Sequence, residues 1–143
     1  MEYSFSGHYF QRDEQQPGEE LVRQLSSAWI NAPYLWGGRT PLGVDCSGFV
    51  QVIYKLMGID LPRDAWQQAQ EGEPVKKLSE AKTGDLAFFD NKEDIVHVGI
   101  ILGKDQLIHA SGKVRIDELT KKGIQSDGPL PSGSRLRAIR RYW

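Results

Sequence analysis

The chain has 143 residues, 39% of them hydrophobic and 26% charged, with a formal net charge of −1. That is the size of one compact domain with its own core, and near-neutral charge gives no drive toward nucleic acid or anionic membranes. The single cysteine excludes an internal disulfide, and no apolar stretch reaches the roughly 20 residues that span a bilayer.

Residues 1–17 are polar and run into Pro17-Gly18, the composition of a tail or linker remnant, so the domain is expected over 18–143. Residues 1–10 (MEYSFSGHYF) lack the positive start and continuous apolar middle of a signal peptide. As written, the chain is expected in the cytoplasm, or in the periplasm or outside the cell if a leader has been trimmed away. From Gly18 the pattern turns helical through 30: Leu21, Val22, Leu25, Trp29 and Ile30 recur on one face. Glu19 and Glu20 fall in the first turn, where the helix dipole favours acids. A glycine-punctuated stretch, YLWGGRTPLGVDCSGFV over 34–50, leads into a second predicted helix over 46–57. Phe49, Val50, Ile53, Leu56 and Met57 form its apolar face, with Asp45 as N-cap and Gly58 as stop. A short helix over 64–70 opens on Asp64. After Gly72 come GDLAFFD, IVHVGIIL, QLIHAS, KVRID and SRLRAIRRYW, short β-rich runs separated by turn residues. This order predicts an α+β fold, with N-terminal helices packed on a predominantly antiparallel sheet of about five strands. The terminal basic run (Arg135, Arg137, Arg140, Arg141) reads as the solvated face of the last strand.

Cys46 is the first residue of the second predicted helix. Unpaired N–H groups and the positive dipole end there favour thiolate and lower the pKa, the condition for a nucleophile. A space-filling cysteine sits more often mid-element on an apolar face. A nucleophilic thiol also needs a base. Of three histidines, His8 lies in the polar tail, while His97 and His109 lie inside apolar strands. Positions 97 and 109 are equidistant from Gly103, so a hairpin turning there sets the two imidazoles directly opposite. Gly99 and Leu107 share their face, and Val96, Val98, Ile100, Ile108 and Ala110 take the other. A base and its orienting group follow, the logic of a catalytic triad. An even-length loop or an uncompensated bulge would reverse the face. Two rival uses stay open: satisfied core histidines, or zinc held by Cys46, His97 and His109, although the paired C-x₂-C spacing of structural zinc sites is absent.

Together these stretches resemble the NlpC-type (NlpC/p60) cell-wall cysteine peptidases, a bacterial branch of the papain-like fold. PYLWGGRTPLGVDCSGFV resembles that family's nucleophile segment, and GDLAFFD, HVGIIL and LIHAS its later motifs, in the same order over about 33–111. The resemblance implies Cys46 as nucleophile, His97 as general base and His109 as the group orienting it, with no metal and no cofactor. It implies hydrolysis of peptidoglycan stem peptides, between γ-D-glutamyl and the following diaminopimelate or lysine, through a thioester acyl-enzyme. Tyr34 matches the family's active-site tyrosine. Asp45 and Ser47 flank the nucleophile, and in members acting on freed stem peptides the matching residues, with the tyrosine, hold the free amine of the N-terminal L-alanine. Arg63, Asp64 and Trp66 resemble a groove-lining segment, with Ala65 where some relatives carry serine. Arg39 and Arg63 are candidate partners for substrate carboxylates. The expected partner is a stem peptide or muropeptide, with no nucleic acid and no membrane span, and with any wall-binding module outside this chain. Two alternatives use the same residues: an acyltransferase, against which the order Cys46, His97, His109 argues because lipid-handling relatives place histidine first, and a catalytically silent wall-binding module.

Overall fold

A computed structural model describes residues 17–131 and 133–143. The expected tail, with His8, therefore lies outside the described residues apart from Pro17. Helices come first: α1 (Glu19–Ser27), α2 (Cys46–Leu56) and the single turn α3 (Ala65–Gln68), with a small hairpin of β1 (Arg39–Thr40) and β2 (Gly43–Val44) between α1 and α2. Strands follow: β3 (Glu73–Pro74), β4 (Leu86–Asp90), β5 (Ile95–Gly103), β6 (Gln106–Ser111), β7 (Lys113–Thr120), β8 (Gly123–Gln125) and β9 (Arg135–Arg141).

The α+β order is as expected, but the sheet is not. It has seven strands in the order β3-β9-β4-β5-β6-β7-β8, and β8 also pairs with β9, which closes the sheet into a barrel. Each of the five runs read from the sequence is a strand. The extra two, β3 and β8, are two and three residues long, too short to show an alternation, and exist because longer strands offer them partners.

The helices also stop sooner than periodicity predicts. In α1 the Ser26 hydroxyl donates to the Val22 carbonyl and Ser27 to that of Gln24. Asn31 then takes φ 75, and Trp29 and Ile30 fall in a turn beyond the helix. By contrast α2 starts where expected, and Gly58 at φ 87 ends it in the left-handed region that glycine tolerates. Phe49, Val50 and Ile53 are fully buried against Phe88, Val98, Ile100 and Ile108. Burial at about 1.5–3 kcal/mol per large apolar side chain outweighs the weak helix propensity of so β-branched a segment.

The opposite face of the strands is lined by Ala87, Phe89, Ile101, Leu107, Leu119, Ile124 and Ile139, the inside of the closed sheet. Arg135 and Arg137 of the terminal basic run are about half exposed, as a solvated face expects, and they are also paired. Arg135 and Arg137 both donate to the fully buried carboxylate of Asp90, and Arg141 grips Asp85 with two bonds. Burial of Asp85 and Asp90 leaves no trace in a charge pattern.

Candidate active site

The Asp45 side chain caps α2, accepting from the Gly48 N–H at 2.7 Å, and its other oxygen accepts from the Gly37 N–H at 2.9 Å. Gly48 permits this approach, since a Cβ there would meet the Gly38 carbonyl oxygen at 2.4 Å. Arg63 then clamps the same carboxylate with bonds of 3.0 and 2.8 Å and donates to the Ser47 hydroxyl at 2.9 Å. Arg63 and the backbone N–H groups together hold the Asp45 carboxyl below its usual range despite burial. The carboxylate is thus saturated by the chain itself.

Asp64 caps α3 in a reciprocal box with Gln67, and Gln68 ties that turn to α2 by donating to the carbonyls of Ser47 and Pro62. Trp66 stands half exposed, as does Tyr34. Burial, followed by the charges of Cys46 and Asp45, raises the Tyr34 phenol. Arg39 donates to Gln51 at 3.5 Å.

Cys46 is 9% exposed. Pairing between β5 and β6 runs from the turn only as far as Ile100↔Ile108. On the stretch of β5 beyond it, the thiol lies 4.0 Å from the Val96 carbonyl oxygen and accepts from the Val98 N–H. Its two strand contacts therefore flank His97. The predicted fall in thiol pKa is reversed. Burial pushes Cys46 up to about 11, outweighing help from the N–H groups of Val98, Ser47 and Cys46, and Asp45 adds to the rise.

The histidine hairpin turns one residue later than expected. Its loop is Lys104-Asp105, with Asp105 at φ 63, and a bulge lies between Ile101 and Gly103. The even loop alone would put the imidazoles on opposite faces; the bulge restores their common face. The Ile100↔Ile108 register, continued, sets His109 across from Gly99, where an added Cβ would lie 3.0 Å from the His109 Cβ. The imidazoles are diagonal partners, with His97 Nε2 and His109 Nδ1 2.8 Å apart and rings nearly perpendicular. Both are buried, and desolvation holds both pKa values below the ordinary histidine value, His97 most strongly.

Two residues here escaped the sequence reading. Asp117 accepts from His109 Nε2 at 2.7 Å, and Arg115 donates from Nε to the same oxygen at 2.7 Å. A hairpin centred on Gly112 pairs His109 with Arg115 and puts Asp117 on the same face, a signal available in the spacing. Among the described residues no cluster is arranged to hold a metal ion, and no helix is long and apolar enough to cross a membrane.

Fold and site define a class: a small α+β domain in which a thiol at a helix start lies against a strand carrying one of two hydrogen-bonded imidazoles. The model of the NlpC/P60 family matches residues 31–128, and the chain belongs to that family. It is 42% identical over 94 residues to a gamma-D-glutamyl-L-lysine dipeptidyl-peptidase of Bacillus subtilis, covering 64% of this chain and 31% of the relative. It is also 42% identical over 103 residues to the murein DD-endopeptidase MepS/murein LD-carboxypeptidase of Escherichia coli K12, covering 65% and 54%. An NlpC/P60 family protein from Bacillus cereus superposes with a TM-score of 0.78 at 30% identity, over 92% of this chain and 42% of that one. The chain thus spans about a third to a half of the length of these relatives.

Proposed function

We propose that this chain is a cysteine peptidase that hydrolyses peptidoglycan stem peptides at the γ-D-glutamyl–diamino acid amide bond, through a thioester acyl-enzyme. The observation that carries the reading is the thiol of Cys46 held against the backbone groups of Val96 and Val98, the two residues that flank His97 in β5. Because Nε2 of His97 is engaged by His109, Nδ1 is the nitrogen left to act as base. Thiol and imidazole are both neutral at rest, so proton transfer accompanies attack. His97 takes the thiol proton as sulfur bonds to the carbonyl carbon. The imidazolium returns that proton to the leaving amine as the C–N bond breaks, and the acyl group stays on sulfur. Water, deprotonated by His97, attacks the thioester; the C–S bond breaks and the thiol is restored. N–H groups at the start of α2 favour the charged sulfur during the first step.

Tyr34 and Ser47 offer hydroxyls to the free amine of an N-terminal L-alanine. Asp45 contributes its field rather than an open oxygen, because Arg63 and two N–H groups fill it. Asp64 and Trp66 sit on the adjoining turn as groove residues, and Arg63 anchors that turn to α2 instead of awaiting a substrate carboxylate. The equal identity to an endopeptidase named for DD bonds carries a second reading, cleavage of the cross-link between stem peptides.

The test is product analysis on defined muropeptides with lysine or diaminopimelate, cross-linked or not, with free or blocked alanine. The reading expects cleavage at the γ-D-glutamyl bond, faster with the free amine, and none with Cys46→Ala. An active Cys46→Ala chain overturns the thiol chemistry, cleavage confined to the cross-link selects the second bond, and a new amide formed with an added amine marks an acyltransferase.

A further inference from the structure

We propose that Asp117, itself held by Arg115, is a positioning residue that sets the tautomer of His97 through His109, leaving Nδ1 of His97 unprotonated.

One hydrogen-bonded chain from Arg115 to His97 fixes where each proton sits. Arg115 has only donors and stays charged. Its Nε–H donates to Asp117 Oδ2 at 2.7 Å, so that oxygen is an acceptor, and the same oxygen lies 2.7 Å from Nε2 of His109. His109 must therefore be the donor in that bond, and its Nε2 carries a proton. A neutral imidazole has one N–H. With Nε2 protonated, Nδ1 of the buried His109 is bare and can only accept. Its partner at 2.8 Å is Nε2 of His97, which must then donate. That places the single proton of neutral His97 on Nε2 and leaves a lone pair on Nδ1. Without Asp117, nothing in the His97–His109 pair prefers this direction over its reverse. In the reverse arrangement His109 donates from Nδ1, His97 accepts at Nε2, and the proton of His97 sits on Nδ1, where no lone pair remains for a thiol proton. Two neighbouring charges support the forward order. Burial raises the Asp117 carboxyl but is outweighed by His109 and Arg115, which hold it below its usual range and keep it anionic. A second N–H of Arg115 donates to the Pro129 carbonyl at 2.7 Å, which fixes the guanidinium from outside the chain of rings.

The kinetic consequence rests on the reading of His97 as base; the tautomer itself does not. Ring-nitrogen NMR of the unmodified chain at neutral pH is expected to find His97 and His109 each protonated at Nε2 and bare at Nδ1. Asp117→Ala is expected to release this order, giving mixed tautomers, and to lower kcat about ten- to a hundred-fold at little change in KM, the usual effect of losing an outer partner. Asp117→Asn is expected to restore both, since its amide oxygen can accept from His109 and Arg115 together. Protonation of His97 at Nδ1 in the unmodified chain overturns the proposal whether or not any variant folds. So does an Asp117→Ala chain that keeps the tautomers of both rings, whatever its kcat. If Cys46→Ala proves active, the peptidase reading fails, while the spectrum still decides the tautomer.

Discussion

Around Cys46 the helix start is restrained mainly by backbone groups and residues within eighteen positions, while the thiol itself touches the Val96 carbonyl, fifty positions away. Asp45 accepts from the N–H groups of residues three and eight positions away, and Arg63, eighteen away, completes the cluster. Around His97 every polar restraint crosses between strands: His109 from β6, then Asp117 and Arg115 from β7. The thiol is placed by where a helix starts and the imidazole by where a ladder slips and bulges. A substitution can therefore disturb one side of the site while leaving the other folded.

After Cys46→Ala, the largest expected break is His97→Ala, which removes the proposed base and leaves the helix start untouched. Cleavage is expected to fall about 10²–10⁴-fold, with the melting transition retained; a fully active variant would remove the base from the mechanism. Next comes Gly99→Ala, which touches neither imidazole chemically. Its Cβ would lie 2.8 Å from Leu107 and 3.0 Å from the His109 Cβ. Overpacking of this kind costs about 1–3 kcal/mol, read by urea unfolding, and is expected to lower kcat by shifting His109.

Acid should sharpen the contrast. The folded chain holds His97 and His109 below the ordinary value of 6.5, so their depressed pKa values contribute stability that is present above 6.5 and lost as pH falls through the folded values. The unfolded chain takes up the protons that the folded chain refuses, at up to about 1.4 kcal/mol per pH unit for each histidine. Carboxylates held low, Asp45 and Asp117, join only near and below their ordinary 3.8. Denaturant midpoints between those values are expected to fall with acid, and a flat profile there would count against neutral buried imidazoles. The smallest effect on the histidine side is Asp45→Ala. Loss of the cap together with the Gly37 and Arg63 bonds is expected to destabilise by about 1–3 kcal/mol in chemical unfolding, with the ring-nitrogen spectrum of His97 unchanged.

Much of the thiol side is legible in the residues themselves. Asp45 before Cys46, apolar spacing through Ile53 and Gly58 beyond Met57 are short-range signals, and helix caps are short-range physics. The imidazole side is half legible. Apolar alternation places each histidine within its own strand, but their common face and diagonal pairing depend on a turn at Lys104-Asp105 and a compensating bulge, which alternation does not encode. Asp117 stays hidden because its role exists only once β7 lies beside β6.

By itself, the amino-acid order determines the helix that begins at Cys46 and the five longer strands, because caps, turns and periodicity act over a few residues. Only the tertiary structure decides the closure of the sheet, the bonding of Arg63 to Asp45, the chain from Arg115 to His97 and the raised pKa of Cys46. Those depend on which strands meet and how much water each group loses, and neither quantity is a property of local sequence.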